Sequence, residues 1–271
     1  MTEPSEAPRP GWVRAAVSPA DLLAEAERAV GDRYRIESIA GQGGMGRVFA
    51  ARDTTLGRRV AIKLLTVLDP NPDEDPGLRA HDRLVAEARA MARLNHPNLC
   101  RVIEVSLVGQ TPFLVMDWVE GVDLTRFCEA LDTRHSVSVL LRVLDAAAVM
   151  HHAGLVHGDL KPTNVLVDHN EKPTIVDFGL ARAESDPSWI AVPRGGTPGY
   201  SAPELLTSQH DINPSADVFS LGVMLYELLT GRTPFPRRTA PAVTIDLLKR
   251  GAVPLPEHYA PDVPADLQKI C

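Results

Sequence analysis

Cysteine, aromatic residues and long apolar runs are all scarce in this chain of 271 residues. The three cysteines, Cys100, Cys128 and Cys271, are too few and too scattered for a disulfide framework or a zinc site, and read as reduced thiols in a cytosolic setting. No stretch of about 18 uninterrupted apolar residues occurs, which leaves no membrane-spanning helix to expect within these residues. Basic charge is in deficit: the formal net charge of −7 excludes the cationic surface that nonspecific nucleic-acid binding requires. The opening residues, MTEPSEAPRPGW, lack the apolar core of a signal peptide. Residues 1–17 therefore read as a disordered lead.

Glycine and proline, by contrast, punctuate the chain usefully. Ser18-Pro19-Ala20-Asp21 is a helix start, with Leu22, Leu23, Ala26 and Val30 at helical spacing and Gly31 to close it, so 18–33 reads as a short helical extension. From Tyr34 the segments YRIESIA, RVFAARD and RRVAIKLL predict strands separated by glycines. A helix is expected from about Leu78 to Leu94, then strands over LCRVIEVSLV and PFLVMDW. Beyond Gly121 the chain turns helical, with long apolar patterns in VSVLLRVLDAAAVMHHAG and SADVFSLGVMLYELLTG. The second is apolar nearly all round, as a helix in the centre of a lobe should be. A strand-rich half thus precedes a helix-rich half, with a cleft expected between them.

Four short motifs carry chemistry. GQGGMGRV places Gly41, Gly43 and Gly46 as G-x-G-x-x-G between two predicted strands, where backbone N–H groups can approach phosphates. A dinucleotide fingerprint would open a helix at this point, and a Walker A loop would continue with Lys-Ser/Thr; Arg47-Val48 does neither. Lys63 is the one charge in the strand VAIKLL, and a buried ammonium there needs a partner, for which Glu87 on the next helix is the candidate. In TIVDFGLAR a strand ends in Asp177, where a carboxylate can hold a hard cation such as Mg²⁺. Between them, LVHGDLKPTNVLV sets Asp159, Lys161 and Asn164 in a short loop bounded by apolar runs.

Taken in order, these motifs resemble the catalytic domain of the bacterial serine/threonine protein kinases related to the eukaryotic ones, from about Tyr34 to the C-terminus. GQGGMGRV resembles their glycine-rich loop, VAIK the third-strand lysine, HGDLKPTN the catalytic loop, DFG the magnesium site, GTPGYSAPE the end of the activation segment and DVFSLG the buried helix whose Asp217 braces the catalytic loop. The resemblance implies an α+β bilobal kinase fold: an antiparallel-sheet N-lobe with helix C over 34–117, a hinge at 118–121 and a mainly helical C-lobe over 122–271. It implies ATP with Mg²⁺, or Mn²⁺ in its place, and transfer to Ser/Thr hydroxyls of proteins, this chain included.

By the same resemblance Asp159 orients the hydroxyl and takes its proton, Lys161 stabilises the moving phosphate, and Lys63, oriented by Glu87, clamps the α/β-phosphates. Asn164 and Asp177 hold the metal. Gly41, Gly43, Gly44, Gly46, Val48, Ala61, Met116, Asp117, Val119 and Leu166 line the nucleotide site, with adenine against the backbone of Asp117 and Val119. His157 takes a core position beside Phe178 and Met91.

Two departures stand out. Gly158 replaces the Arg that usually precedes the catalytic Asp and pairs with a phosphorylated activation segment, so dependence on phosphorylation at Ser185 or Ser188 is not expected. The Arg that relatives pair with Glu204 is not found, which reads as a lobe continuing past Cys271. HGD also resembles aminoglycoside and choline phosphotransferases, but these generally lack DFG, the Ala-Pro-Glu segment and this form of buried helix. A pseudokinase that only binds nucleotide is the other alternative, and Lys63, Glu87, Asp159, Asn164 and Asp177 all stand against it.

Overall fold

The computed structural model describes residues 24, 26–28, 30–43, 46–65, 88, 90–108, 111–177, 182–183, 197, 199–206, 213–235 and 241–270. β-Branched and apolar residues at alternate positions fold the first half into five antiparallel strands: β1 (Tyr34–Gly43), β2 (Gly46–Asp53), β3 (Arg58–Leu65), β4 (Val102–Val108) and β5 (Thr111–Asp117). Their order is β1-β2-β3-β5-β4. Alternation splits the sheet cleanly into two faces. Phe49, Ala51, Val60, Ile62, Leu64, Phe113 and Val115 pack together on one face, whereas Ala61, Leu114 and Met116 join the core shared with the helical half. Lys63, on the second face by alternation, is 3% exposed.

The N-terminal extension completes the first face. Ala24, Ala26, Glu27, Arg28 and Val30 are helical, and Ala26 and Val30 are buried against that sheet face. Gly31, at φ 63°, ends the helix as expected. Of the helix expected over 78–94, the described residues Ala88 and Ala90 to Ala92 are helical.

The expected strand from Leu99 starts only at Val102. Leu99 and Cys100 instead dock on the far half: Leu99 bridges Ile175, and Cys100 N–H donates to the Ile175 carbonyl at 2.9 Å. Cys100 and Cys128 are buried and unbridged. Burial, helped by Asp117, pushes the Cys100 thiol up to about 12, so it stays protonated.

The second half is built on helices, with short strands between them. After β6 (Val122–Asp123) come α1 (Leu124–Cys128) and α2 (Thr133–His152). Then follow β7 (Leu155–Val156), a 3₁₀ turn at Pro162–Asn164, β8 (Val165–Val167), β9 (Pro173–Ile175) and β10 (Arg182–Ala183). Helices α3 (Pro203–Leu206), α4 (Pro214–Thr230), α5 (Pro241–Lys249) and α6 (Ala265–Gln268) complete it. Helix α4 packs against α2 and buries ten side chains, as its all-round apolar pattern predicts. Asn213 caps its start, Pro214 opens it, and Gly231 closes it at φ 69°.

Gly121 links the two halves under tight constraint. A Cβ there would lie 2.4 Å from the Val167 carbonyl oxygen of β8. Gly121→Ala is expected to force strand and hinge apart and to cost about 1–3 kcal/mol. Thermal melts check this, and an unchanged Tm would refute it.

Candidate active site

Helix α4 places the site through one buried carboxylate. Asp217, on its first turn and wholly buried, accepts from the backbone N–H groups of His157 and Gly158, both at 2.8 Å. His151, at the end of α2, adds a third contact through Nε2 at 2.8 Å. Burial alone would push the Asp217 carboxyl up. The hydrogen bond from His151, the charge of His157 and the two N–H donors outweigh that and hold it below the usual range. Gly158 stands at φ 75°, a left-handed conformation that glycine adopts without steric cost. His157 is fully buried, in keeping with a core role, and its Nε2 lies 3.3 Å from the Val176 carbonyl.

The loop so fixed presents Asp159, Lys161 and Asn164 together. Asp159 Oδ2 accepts from Lys161 Nζ at 2.6 Å, and Oδ1 accepts from the backbone N–H and the hydroxyl of Thr197, both at 3.0 Å. Lys161 Nζ also donates to Thr197 Oγ1 at 2.6 Å. Asn164 Nδ2 donates to the Asp159 carbonyl at 2.9 Å, which directs its amide nitrogen into the loop and leaves its oxygen as the atom available to a cation.

Across the cleft, Lys63 Nζ donates to Asp177 Oδ1. Asp177 has φ 63°, uncommon for a residue with a Cβ and frequent at functional sites. Burial would raise its carboxyl, but the charge and hydrogen bond of Lys63, with His157 and Lys161 nearby, lower it on balance. The Lys63–Glu87 pair expected from sequence involves a residue outside those described, as do Gly44 and Phe178.

The remaining expected contacts sort by strand register. Val48 pairs with Lys63, and Ala61 pairs with Met116. Val48, Ala61, Met116 and Val119 share one apolar cluster. Asp117 ends β5, and Leu166 lies in β8, paired with Asp123. Gly41 pairs with Val48 and Gly43 with Gly46, so the described glycines of the motif lie at the end of the β1–β2 ladder. Two contributors escape a reading of the sequence. His151 ends a long apolar helical stretch with no spacing that points to a partner, and Tyr200, whose hydroxyl donates to the buried Glu227 of α4, lies in the Ala-Pro-Glu segment without a signal of its own. Glu204 Oε1 accepts from Ser215 Oγ at 3.3 Å.

The residues fit a divalent cation with phosphate. One carboxylate and one amide oxygen are what Mg²⁺ takes from a protein when phosphate oxygens and water fill its other positions. No group of three or more metal-ligating side chains occurs among the described residues. A five-stranded lobe facing a helical lobe, with a lysine and a carboxylate joined across the cleft beside an Asp-Lys-Asn loop, is the arrangement of the bilobal protein-kinase fold.

Comparison with known sequences agrees: the profile of the family described as "Protein kinase domain" matches residues 34–260, and the chain belongs to that family. It is 38% identical over 226 residues to the serine/threonine-protein kinase PknA of Mycobacterium tuberculosis, covering 80% of this chain and 51% of the relative. It is 35% identical over 219 residues to a probable serine/threonine-protein kinase PknB of Lactococcus lactis, covering 79% of this chain and 34% of that protein. A probable serine/threonine-protein kinase pknA2 of Bifidobacterium longum is 35% identical over 216 residues, covering 78% and 28%. The chain thus spans about half the length of the first of these relatives and about a third or less of the others.

Proposed function

We propose that this chain transfers the γ-phosphoryl group of ATP to Ser/Thr hydroxyls of proteins, itself among them, in a cytosolic setting. The observation that carries this reading is the Asp159–Lys161–Thr197 cluster. Asp159 is held by three donors in one orientation, where it can position a hydroxyl and accept its proton. Lys161, 2.6 Å from that carboxylate, brings positive charge to the place where the phosphoryl group moves. Lys63 would hold the α/β-phosphates, with Glu87 as its further partner. Val48, Ala61, Met116 and Leu166 would enclose the adenine, and the backbone of Asp117 and Val119 would meet its edge. Asn164 and Asp177 would hold Mg²⁺, or Mn²⁺ in its place, which neutralises phosphate charge when bound. An open depression of about 500 Å³ beside the cluster, lined by Asp123, Arg126, Glu129, Lys161, Thr197 and Tyr200, would give a protein hydroxyl a way in.

The test compares acceptors. Purified protein with Mg-ATP is assayed against a Ser/Thr peptide mixture, an aminoglycoside and choline, with intact mass followed in parallel. Phosphate on peptides or on the chain itself supports the reading. Transfer to the small molecules alone would make the chain a small-molecule phosphotransferase, and binding without transfer would make it a pseudokinase.

Gly158 adds a regulatory corollary. With no Arg at that position, an activation-segment phosphate at Ser185 or Ser188 lacks its usual counter-charge. The double variant Ser185→Ala/Ser188→Ala is expected to keep at least about half of wild-type kcat. Loss of activity with the fold retained, by circular dichroism, would overturn this.

A further inference from the structure

Arginine is unusually placed at the outer end of β3. Arg59 shares a face of the strand with Ala61 and Lys63 by alternation, so it lies in line with the cleft rather than on the sheet's other face. Directly opposite it on β2 stands Arg52. Two like charges facing each other across an antiparallel ladder are unfavourable. The relief comes from β1: its ladder with β2 skips Glu37, Ile36 pairing Ala51 and Ser38 pairing Ala50. Such a bulge re-aims the side chain of the extra residue. The Glu37 carboxylate accepts from Arg59 Nε at 2.8 Å through Oε2 and from Arg52 Nε at 3.3 Å through Oε1. Arg59, with Arg52 beside it, holds that carboxyl below its ordinary range.

The other side of the Arg59 guanidinium reaches the hinge. Its centre lies 4.6 Å above the ring of Trp118, and Nη1 donates to Glu120 Oε1 at 3.3 Å. The Trp118 indole N–H is buried and meets no acceptor among the described residues, so no hydrogen bond fixes the ring. The neighbouring Arg58 donates to Asp117 Oδ1 at 3.4 Å. One side chain therefore joins the strand that carries Gly41 and Gly43 to the segment that runs from Asp117 to Gly121.

We infer that Arg59 is a positioning residue for the nucleotide, holding the glycine-rich strand and the hinge at a fixed separation so that both meet the adenosine at once. This rests on the kinase reading of the cleft. Arg59 need touch no nucleotide atom itself; it acts through the backbone of Asp117 and Val119 on one side and through β1 on the other. Its side chain is 38% exposed and Glu120 is 75% exposed, so the brace is moderate in strength. Being placed at the hinge end, it acts on the adenosine part of the ligand, and its loss should weaken ATP and adenosine alike.

The experiment measures dissociation constants for Mg-ATP and for adenosine by calorimetry, together with kcat at saturating ATP. The proteins are wild type, Arg59→Ala, Arg59→Lys, Glu37→Gln and, as a control for removing any surface arginine, Arg250→Ala. Arg250, just past the end of α5, pairs among the described residues with Asp246 of that helix at 2.8 Å. Arg59→Ala is expected to weaken both ligands by the same factor, about three- to tenfold, with kcat within about twofold. Glu37→Gln should shift both in the same direction by less, and Arg59→Lys should restore only part, since an ammonium lacks the planar fork. Unchanged affinity in Arg59→Ala would overturn the inference. So would weakened ATP with unaffected adenosine, which would make Arg59 a phosphate attractor, or an equal loss in Arg250→Ala. Should Arg59→Ala fail to fold, wild-type affinity in both Glu37→Gln and Arg59→Lys is the overturning result. A wild type that binds neither ligand would strike the kinase reading itself.

Discussion

Asp159→Asn is expected to lower kcat by about 10²–10⁴-fold while leaving ATP affinity within about twofold. The substitution keeps the shape of the side chain and one oxygen. That oxygen can still accept from the Thr197 N–H and hydroxyl, which meet Oδ1 at 3.0 Å. The amide nitrogen then faces Lys161 Nζ, which now donates to Oδ2 at 2.6 Å. Two donors cannot bond, so Lys161 swings away or keeps only its contact with Thr197 Oγ1. The proton acceptor is lost, and Lys161 is no longer held beside it by the carboxylate.

The corresponding loss in transition-state stabilisation is about 3–5 kcal/mol. Nucleotide affinity should survive, because Lys63 and Asp177 meet each other and not Asp159. Stability should survive too, since the backbone anchor from Asn164 reaches the Asp159 carbonyl and not its carboxylate. Single-turnover transfer with the wild type and the variant, alongside calorimetric titration of ATP, reads both effects. A kcat reduced less than about tenfold would show that Asp159 is not the acceptor of the proton.

Most of this site is legible in the sequence because its chemical groups are close in the chain. Asp159, Lys161 and Asn164 lie within six positions, and Gly41, Gly43 and Gly46 lie at one end of the β1–β2 ladder. Strand alternation likewise placed Ala61 and Lys63 on one face of β3, where they are found. What sequence could not reveal are contacts between distant residues that follow no periodic rule. His151 meets Asp217 across 66 positions, and Arg59 meets Glu120 across 61. The bulge at Glu37 has no composition signal at all: nothing in YRIESIA marks the residue that the ladder skips. Local pattern also misled at two edges. LCRVIEVSLV reads as one strand, yet its start bridges the far lobe instead, through Cys100 N–H to the Ile175 carbonyl and Ile175 N–H to the Asn98 carbonyl on either side of Leu99. Helix α2 begins at Thr133 under an Asp132 cap, a turn before its apolar pattern starts at Val137, because that first turn is polar.

Asp217 is where the largest structural effect is expected. In Asp217→Ala the backbone N–H groups of His157 and Gly158 lose their acceptor where Asp217 and His157 are fully buried. An unsatisfied buried donor costs about 1–3 kcal/mol, and the two together, with the His151 contact also gone, should cost about 3–5 kcal/mol. For a domain of this size that lowers Tm by roughly 10 °C. Asp217→Asn keeps one oxygen and should lose less. Activity should fall further than stability accounts for, because Gly158 is free to leave its left-handed conformation once neither N–H is held, and Asp159 follows it directly. Acidification should have the same cause. The Asp217 and Asp177 carboxyls are both held below their usual range in the folded protein. Their contribution to stability is therefore fully present above the unfolded value near pH 3.9 and is lost as pH falls through the lower folded values. Wild-type stability, measured by urea unfolding between pH 7 and pH 2, should drop most steeply below about pH 4. In Asp217→Asn the curve should start lower at neutral pH and fall less steeply in acid, with Asp177 and the other carboxyls held low, Glu37, Asp53 and Asp168 among them, supplying the slope that remains. Equal acid slopes in the two proteins would mean that Asp217 carries no depressed titration and that its bonds to the catalytic loop contribute little.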